Sequence, residues 1–232
     1  MAKRPNGYII YEGPSLLDGS PIVVIATGFA KPSDNGKTGD MIQTWIIRAD
    51  MSPVEAIKTG MDSAICAYCP QRPYLGGKCY VLVWQSPRSV YEAYKRGIYP
   101  HASGDELATL CAGRMIRIGS YGDPVAVPIA AFMPMLNKQV GWTGYTHQWR
   151  TCDLAWQPLL MASVETESDM YIAQAAGWRT FRTTDKPFMN IKGLEAVCGA
   201  SKEKKRATTC AACKGCMGTS AKARVSETIA LH

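Results

Sequence analysis

No run of about 18 apolar residues occurs in the chain, which sets aside a membrane-spanning helix. The opening residues, Met1-Ala2-Lys3-Arg4-Pro5-Asn6, lack the apolar stretch of a signal peptide, so the expected location is the cytoplasm. Internal repeats and low-complexity tracts are also missing, which argues against a repeat architecture. Histidine is scarce, with three residues in 232.

Cysteine, by contrast, is abundant, with nine residues. In a reducing compartment disulfides do not persist, and an odd number cannot pair off completely. Metal ligation is then the leading explanation for cysteines that cluster. The formal charge is +7, but ligated thiolates change it. Four thiolates on a 2+ centre carry ~−2 and three carry ~−1, which brings the net to roughly +4. The basic balance is therefore a weak argument for nucleic acid.

Three regions are expected: an N-terminal β extension over 1–50, a β/α core over 51–195 and a cysteine-rich segment over 196–232. In the first, Gly7–Glu12 and Ile22–Ala26 read as a hairpin, Lys31–Asp40 as an exposed loop and Gln43–Arg48 as a strand. In the second, Ser52-Pro53-Val54-Glu55 has the spacing of a helix start, and Gly60 a stop. Tyr80–Trp84 reads as a strand, and Ser86–Arg96 and Asp105–Ala112 as helices. Met115–Gly119, Gly141–Tyr145, Leu159–Val164 and Trp178–Arg182 read as further strands. The apolar stretch Val125–Asn137 reads as a helix broken by Pro128 and Pro134, Asp153–Trp156 as a short helix, and Ser168–Ala176 as a helix capped by Thr166 or Ser168. Strands alternating with helices imply βαβ units. The fold class is α/β: a partial (β/α) barrel or an open, mostly parallel sheet.

Cys198, Cys210, Cys213 and Cys216 form C-x11-C-x2-C-x2-C. The segment has little apolar periodicity, so something other than burial should order it. The close run resembles ferredoxin-type cluster spacing, whereas four-cysteine zinc sites more often use two separated pairs. Zinc remains the alternative. Cys66, Cys69 and Cys79 form C-x2-C-x9-C, which suits a 4Fe–4S cluster with one iron lacking a thiolate or a site completed by another side chain. A single mixed site built from both groups is also open. Cys111 and Cys152 read as small buried hydrophobes.

In parallel sheets, ligands gather at the carboxyl ends of strands. Ser120 and Asp123, then Thr146 and His147, then Glu165, then Thr183-Thr184-Asp185 follow successive strands. They form candidate pocket residues for a small molecule, with the plainer reading that they cap the helices that follow. Asp123 and Glu165 suit acid, base or acceptor roles. Arg117, Arg179 and Arg182 lie on strands, projecting outward or pairing with these carboxylates. The aromatic stretch Trp142, Tyr145, Trp149 and Trp156 reads as packing, and the basic run Lys202–Arg206 as solvated or as a phosphate contact for nucleic acid.

The ordered series Cys79-Tyr80, Arg117-Ile118-Gly119-Ser120-Tyr121-Gly122-Asp123, Gly144-Tyr145-Thr146, Ala162-Ser163-Val164-Glu165, Gly177-Trp178-Arg179 and the last four cysteines resembles a bacteriophage protein family of unknown activity, the gene product eighty-eight type. That family is similar to radical SAM enzymes. The resemblance implies a phage-encoded protein with a partial barrel, one or two 4Fe–4S clusters and S-adenosylmethionine as a co-substrate. The chain departs from the usual C-x3-C-x2-C pattern and has no Gly-Gly-Glu motif.

Overall fold

A computed structural model describes residues 4–33 and 35–231. The opening Met1-Ala2-Lys3 and Asp34 of the predicted exposed loop lie outside the described residues.

The chain begins as an antiparallel meander of β1 (Gly7–Pro14), β2 (Pro21–Thr27) and β3 (Ile42–Arg48). Ile22, Val23, Val24 and Ile25 in β2 are all fully buried. A strand covered on both faces reads as an unbroken apolar run, and each such side chain contributes roughly 1.5–3 kcal/mol. From β3 onward every pairing is parallel. β3 joins β4 (Met115–Tyr121), followed by β5 (Gly141–Thr146), β6 (Met161–Val164) and β7 (Thr180–Thr184). β9 (Ser226–Ala230) then slots between β7 and β8 (Glu195–Val197). The result is one open, nine-stranded, mostly parallel sheet with β1 and β8 at its edges. The N-terminal meander is thus continuous with the β/α core through the β3–β4 pairing.

Six α-helices occur among the described residues. α1 (Pro53–Thr59) starts where Ser52 accepts from the Glu55 N–H and stops at Gly60, in the left-handed region at φ 75°. Such a cap contributes about 1 kcal/mol. α2 (Ser63–Cys66), α3 (Ser86–Lys95) and α4 (Gly104–Cys111) complete the long crossover from β3 to β4. α5 (Glu167–Ala175) is capped by Thr166, one of the two caps expected, and α6 (Cys210–Cys213) by Thr209. No helix among the described residues is long and apolar enough to cross a membrane.

Two expectations need correction. Tyr80–Trp84 is a turn leading into α3, because β3 is already flanked by β2 and β4 and offers no free edge. Val125–Asn137 breaks into short 3-10 turns at Pro124–Ala126, Ile129–Ala131 and Met133–Leu136, since its prolines cannot donate to a continuous helix. On either side of Cys198–Cys216 the chain also forms two strands not expected from its sequence, β8 and β9.

Candidate metal centres and strand-end pocket

The first cysteine group lies in the connection after β3, so it sits at the carboxyl ends of the parallel strands. Cys66 closes α2, Cys69 follows in the next turn and Cys79 ends the loop. Arg72 ties the loop together. Its guanidinium donates to both carboxylate oxygens of Asp62, at 3.0 and 2.6 Å, to the Ala67 carbonyl at 2.8 Å and to the Gly60 carbonyl at 2.6 Å. The fold-back at Gly77 leaves no room for a side chain, since a Cβ there would stand 2.3 Å from the Pro70 carbonyl oxygen. The Asp123 N–H donates to the Ile65 carbonyl at 2.6 Å and Gln148 Nε2 to the Cys66 carbonyl at 3.3 Å, which dock the loop on β4 and β5.

Beneath this loop the candidate strand-end residues converge. Asp123 accepts from Thr146 Oγ1 at 2.9 Å and from the His147 N–H at 3.0 Å. His147 Nε2 lies 2.8 Å from Glu165 Oε1 and 3.9 Å from Cys69 Sγ. Asp123 also accepts from the Val125 N–H, so it both caps the next turn and orders the pocket. Ser120 does not join them; beyond the left-handed Gly119 it turns toward a separate cavity beside β3. Thr183, Thr184 and Asp185 stay with β7, where Thr184 donates to the Lys186 carbonyl.

The electrostatics follow from burial. Burial pushes the Cys66 thiol well up, and the neighbouring Cys69, Asp62, Cys79 and Asp123 add to the effect. Burial likewise raises Cys79 and Asp123, the latter despite its hydrogen bonds. For His147 burial opposes the charged ring, but the hydrogen bonds to Cys69 and Glu165 outweigh it and raise the pKa to about 10.

The last cysteine group forms its own site. Cys198, Cys210, Cys213 and Cys216 all line one cavity, together with Lys37, Thr143, Tyr145, Phe181 and Glu227. No cysteine of the first group lines it, so the two groups are spatially distinct rather than one mixed site. Cys198 sits just past β8, where its N–H donates to the Thr228 carbonyl at 2.9 Å. The Cys210 N–H donates to the Lys37 carbonyl at 2.9 Å, so the loop before β3 closes one wall. Arg179 donates to the carbonyls of Gly215, Gly218 and Val225 at 2.7, 3.0 and 2.5 Å and holds the loop against β7. A Cβ at Gly215 would crowd Glu227 Oε1 at 3.0 Å and Cys213 Sγ at 3.2 Å, so these side-chain tips would have to give by a few tenths of an ångström.

Three of these four cysteines are buried. Burial raises Cys198 to about 11, raises Cys210 and drives Cys216 further up, with the Tyr145 hydrogen bond opposing it at Cys216. Glu227 rises to about 7 through burial, against the pull of Arg179. Buried thiols gathered round a cavity suit a positive inorganic centre, because the centre supplies the charge that makes them thiolates. Among the described residues, no three His, Cys, Asp or Glu side chains are arranged to hold a single metal ion. A tetrahedral zinc would draw its sulfurs to within about 3.8 Å of one another, given Zn–S bonds near 2.3 Å. The cavity that the last four cysteines line measures about 20 Å³.

Sequence reasoning missed Tyr145, Glu227, Lys37 and the Arg72–Asp62 pair as site components. Only Gly215, in the turn between Cys213 and Cys216, and the β-branched pair Thr228-Ile229 hinted at the wall around the last cysteines. Cys111 is fully buried in the main core, as expected of a small hydrophobe, and Cys152 is half-buried; neither joins a group. Trp142, Trp149 and Trp156 pack in the core, while the Tyr145 ring packs tilted against Phe181, with centroids 4.6 Å apart, beside the last cysteines. Arg182 pairs with Glu195 of β8 at 2.6 Å, both side chains buried. The basic run Lys202–Arg206 forms a turn with Lys202, Lys204, Lys205 and Arg206 exposed.

Fold and geometry together define a mixed α/β protein with a mostly parallel nine-stranded sheet and one cavity lined by its last four cysteines. Comparisons with protein-family models, curated proteins and solved structures return no match.

Proposed function

We propose that the chain is an iron–sulfur protein with two 4Fe–4S centres, in a redox or radical-SAM-like enzyme of the kind the phage-family resemblance implies. Cys198, Cys210, Cys213 and Cys216 hold one centre. Cys66, Cys69 and Cys79 hold the other, at the strand ends. The observation that carries this reading is the single cavity walled by all four of the last cysteines.

When bound, such centres supply one-electron chemistry. The protein's own residues supply the surroundings. Phe181 and Tyr145 would form the aromatic wall of the last centre. Three thiolates would leave one iron of the first centre without a cysteine, and His147, 3.9 Å from Cys69 Sγ and held by Glu165 and through its own N–H by Asp123, is a side chain that would be able to hold it. Such supporting hydrogen bonds orient a ligand-binding group.

The test is anaerobic purification with iron and sulfide analysis and electron paramagnetic resonance. About eight irons and eight sulfides per chain are expected. Paired Cys210→Ser and Cys216→Ser changes should remove about half, and paired Cys66→Ser and Cys69→Ser changes the other half. A colourless protein carrying zinc and no sulfide would overturn the reading.

A further inference from the structure

Beside the last cysteine site, the same face of the sheet holds a second cavity of about 250 Å³. Its walls include Gln43 and Trp45 of β3, Arg117 and Ser120 of β4, and Tyr80 and Leu82 from the turn after Cys79. The register explains the adjacency. Gln43 pairs with Arg117, and Arg117 with Thr143, so the three form one row across β3, β4 and β5. Thr143 lines the cysteine cavity, whereas Gln43 and Arg117 line the second one. Tyr80, next to Cys79, closes the opposite side, so this space lies between the two cysteine groups.

Arg117 is the unusual residue there. It is buried, with 7% of its surface exposed, yet no carboxylate among the described residues pairs with it. Its guanidinium donates to the Tyr80 hydroxyl, and its Nε has no partner. Ser120 Oγ, on a side chain 6% exposed, is also without a partner. A buried charge is costly unless paired, and buried polar atoms seldom stay unsatisfied without a reason. By contrast, Arg72 and Arg182, buried to a similar degree, each have a bidentate carboxylate.

We infer that this cavity binds a small molecule through a carboxylate or phosphate group, with Arg117 as its cation and Ser120 as a hydroxyl donor. Guanidinium groups match both oxyanions. Trp45 and Leu82 offer an apolar wall for the rest of the molecule, and the volume limits it to a small metabolite. The competing explanation is that Arg117 only balances thiolate charge on nearby Cys210 and Cys216. The inference goes beyond the cluster proposal and does not depend on it.

Isothermal titration of the anaerobically purified full chain with inorganic phosphate and with succinate separates the two explanations. Saturable binding of one anion per chain is expected for at least one of the probes. Arg117→Gln should weaken it roughly tenfold or more, the loss of a charge-assisted hydrogen-bond pair. Ser120→Ala should weaken it severalfold with the fold intact, and it decides the matter if Arg117→Gln does not fold. Absence of saturable binding by both probes, or binding unchanged in the folded variants, would overturn the inference. Iron and sulfide measured on the same samples keep the two proposals apart. Binding by iron-free protein leaves this one standing, and an iron-replete protein that binds neither anion removes this one alone.

Discussion

Replacing Asp62 with Ala tests whether the first cysteine loop is held by its buried ion pair. Asp62 is 1% exposed and Arg72 is 7% exposed, so the pair is shielded from solvent and salt. The change deletes both charge-assisted hydrogen bonds, at 3.0 and 2.6 Å, and leaves a buried guanidinium with only the Gly60 and Ala67 carbonyls as acceptors. Breaking a buried pair from one side costs about 3–5 kcal/mol. For a chain of this size that lowers the melting temperature by roughly 6–20 °C. Replacing both partners, Asp62→Leu with Arg72→Met, should recover much of the loss, because no orphaned charge remains. The assay is denaturant unfolding of the single and double variants, together with iron content. Cys66 and Cys69 fall inside the loop that Arg72 clamps, so iron should be lost from the first group and kept by the last. An Asp62→Ala protein within about 1 kcal/mol of the parent, with full iron at both groups, would refute the reasoning.

At the other site, Gly215→Ala pushes a Cβ against Glu227 and Cys213, and iron at the last group should fall while the first group keeps its own; a metal assay on paired site variants checks this. The His147 ring is held charged, with its pKa raised from 6.5 to about 10, so in metal-free protein its contribution to stability is fully present below about pH 6.5 and fades as pH rises through about 10. Denaturation midpoints of the parent and of His147→Gln across that range should therefore converge at the alkaline end, and a gap that stays constant with pH would contradict it.

Much of the fold was legible because local chemistry and tertiary placement agree. Ser52, Pro53 and Gly60 mark both ends of α1, and the unbroken apolar run of β2 announces burial on both faces. Legibility failed where context decided. Tyr80–Trp84 has strand composition, but β3 before it is flanked on both sides by β2 and β4, and Tyr80 is left 62% exposed. β9 is only five residues long, preceded by a polar, glycine-containing stretch, and its burial comes from its neighbours rather than its own pattern. Asp123, Thr146, His147 and Glu165 come within hydrogen-bonding reach of one another, because parallel strands bring their ends to one side. Ser120 stands apart from them, since the left-handed turn at Gly119 redirects the end of β4 and no periodicity announces that. Arg117 looked like one of three strand arginines; its lack of an anionic partner is visible only once the strands are in register.

The insertion of β9 between β7 and β8 sets an order of events. β8 has no other neighbour in the sheet, and Cys198 is positioned through the Thr228 carbonyl of β9. Until Ser226–Ala230 docks, β7 offers a bare edge of the kind that invites association between chains. The cavity lined by the four cysteines likewise lacks its Glu227 wall before that moment. Under the proposed reading, loading of the last cysteine group follows the docking of β9, after synthesis has passed residue 230.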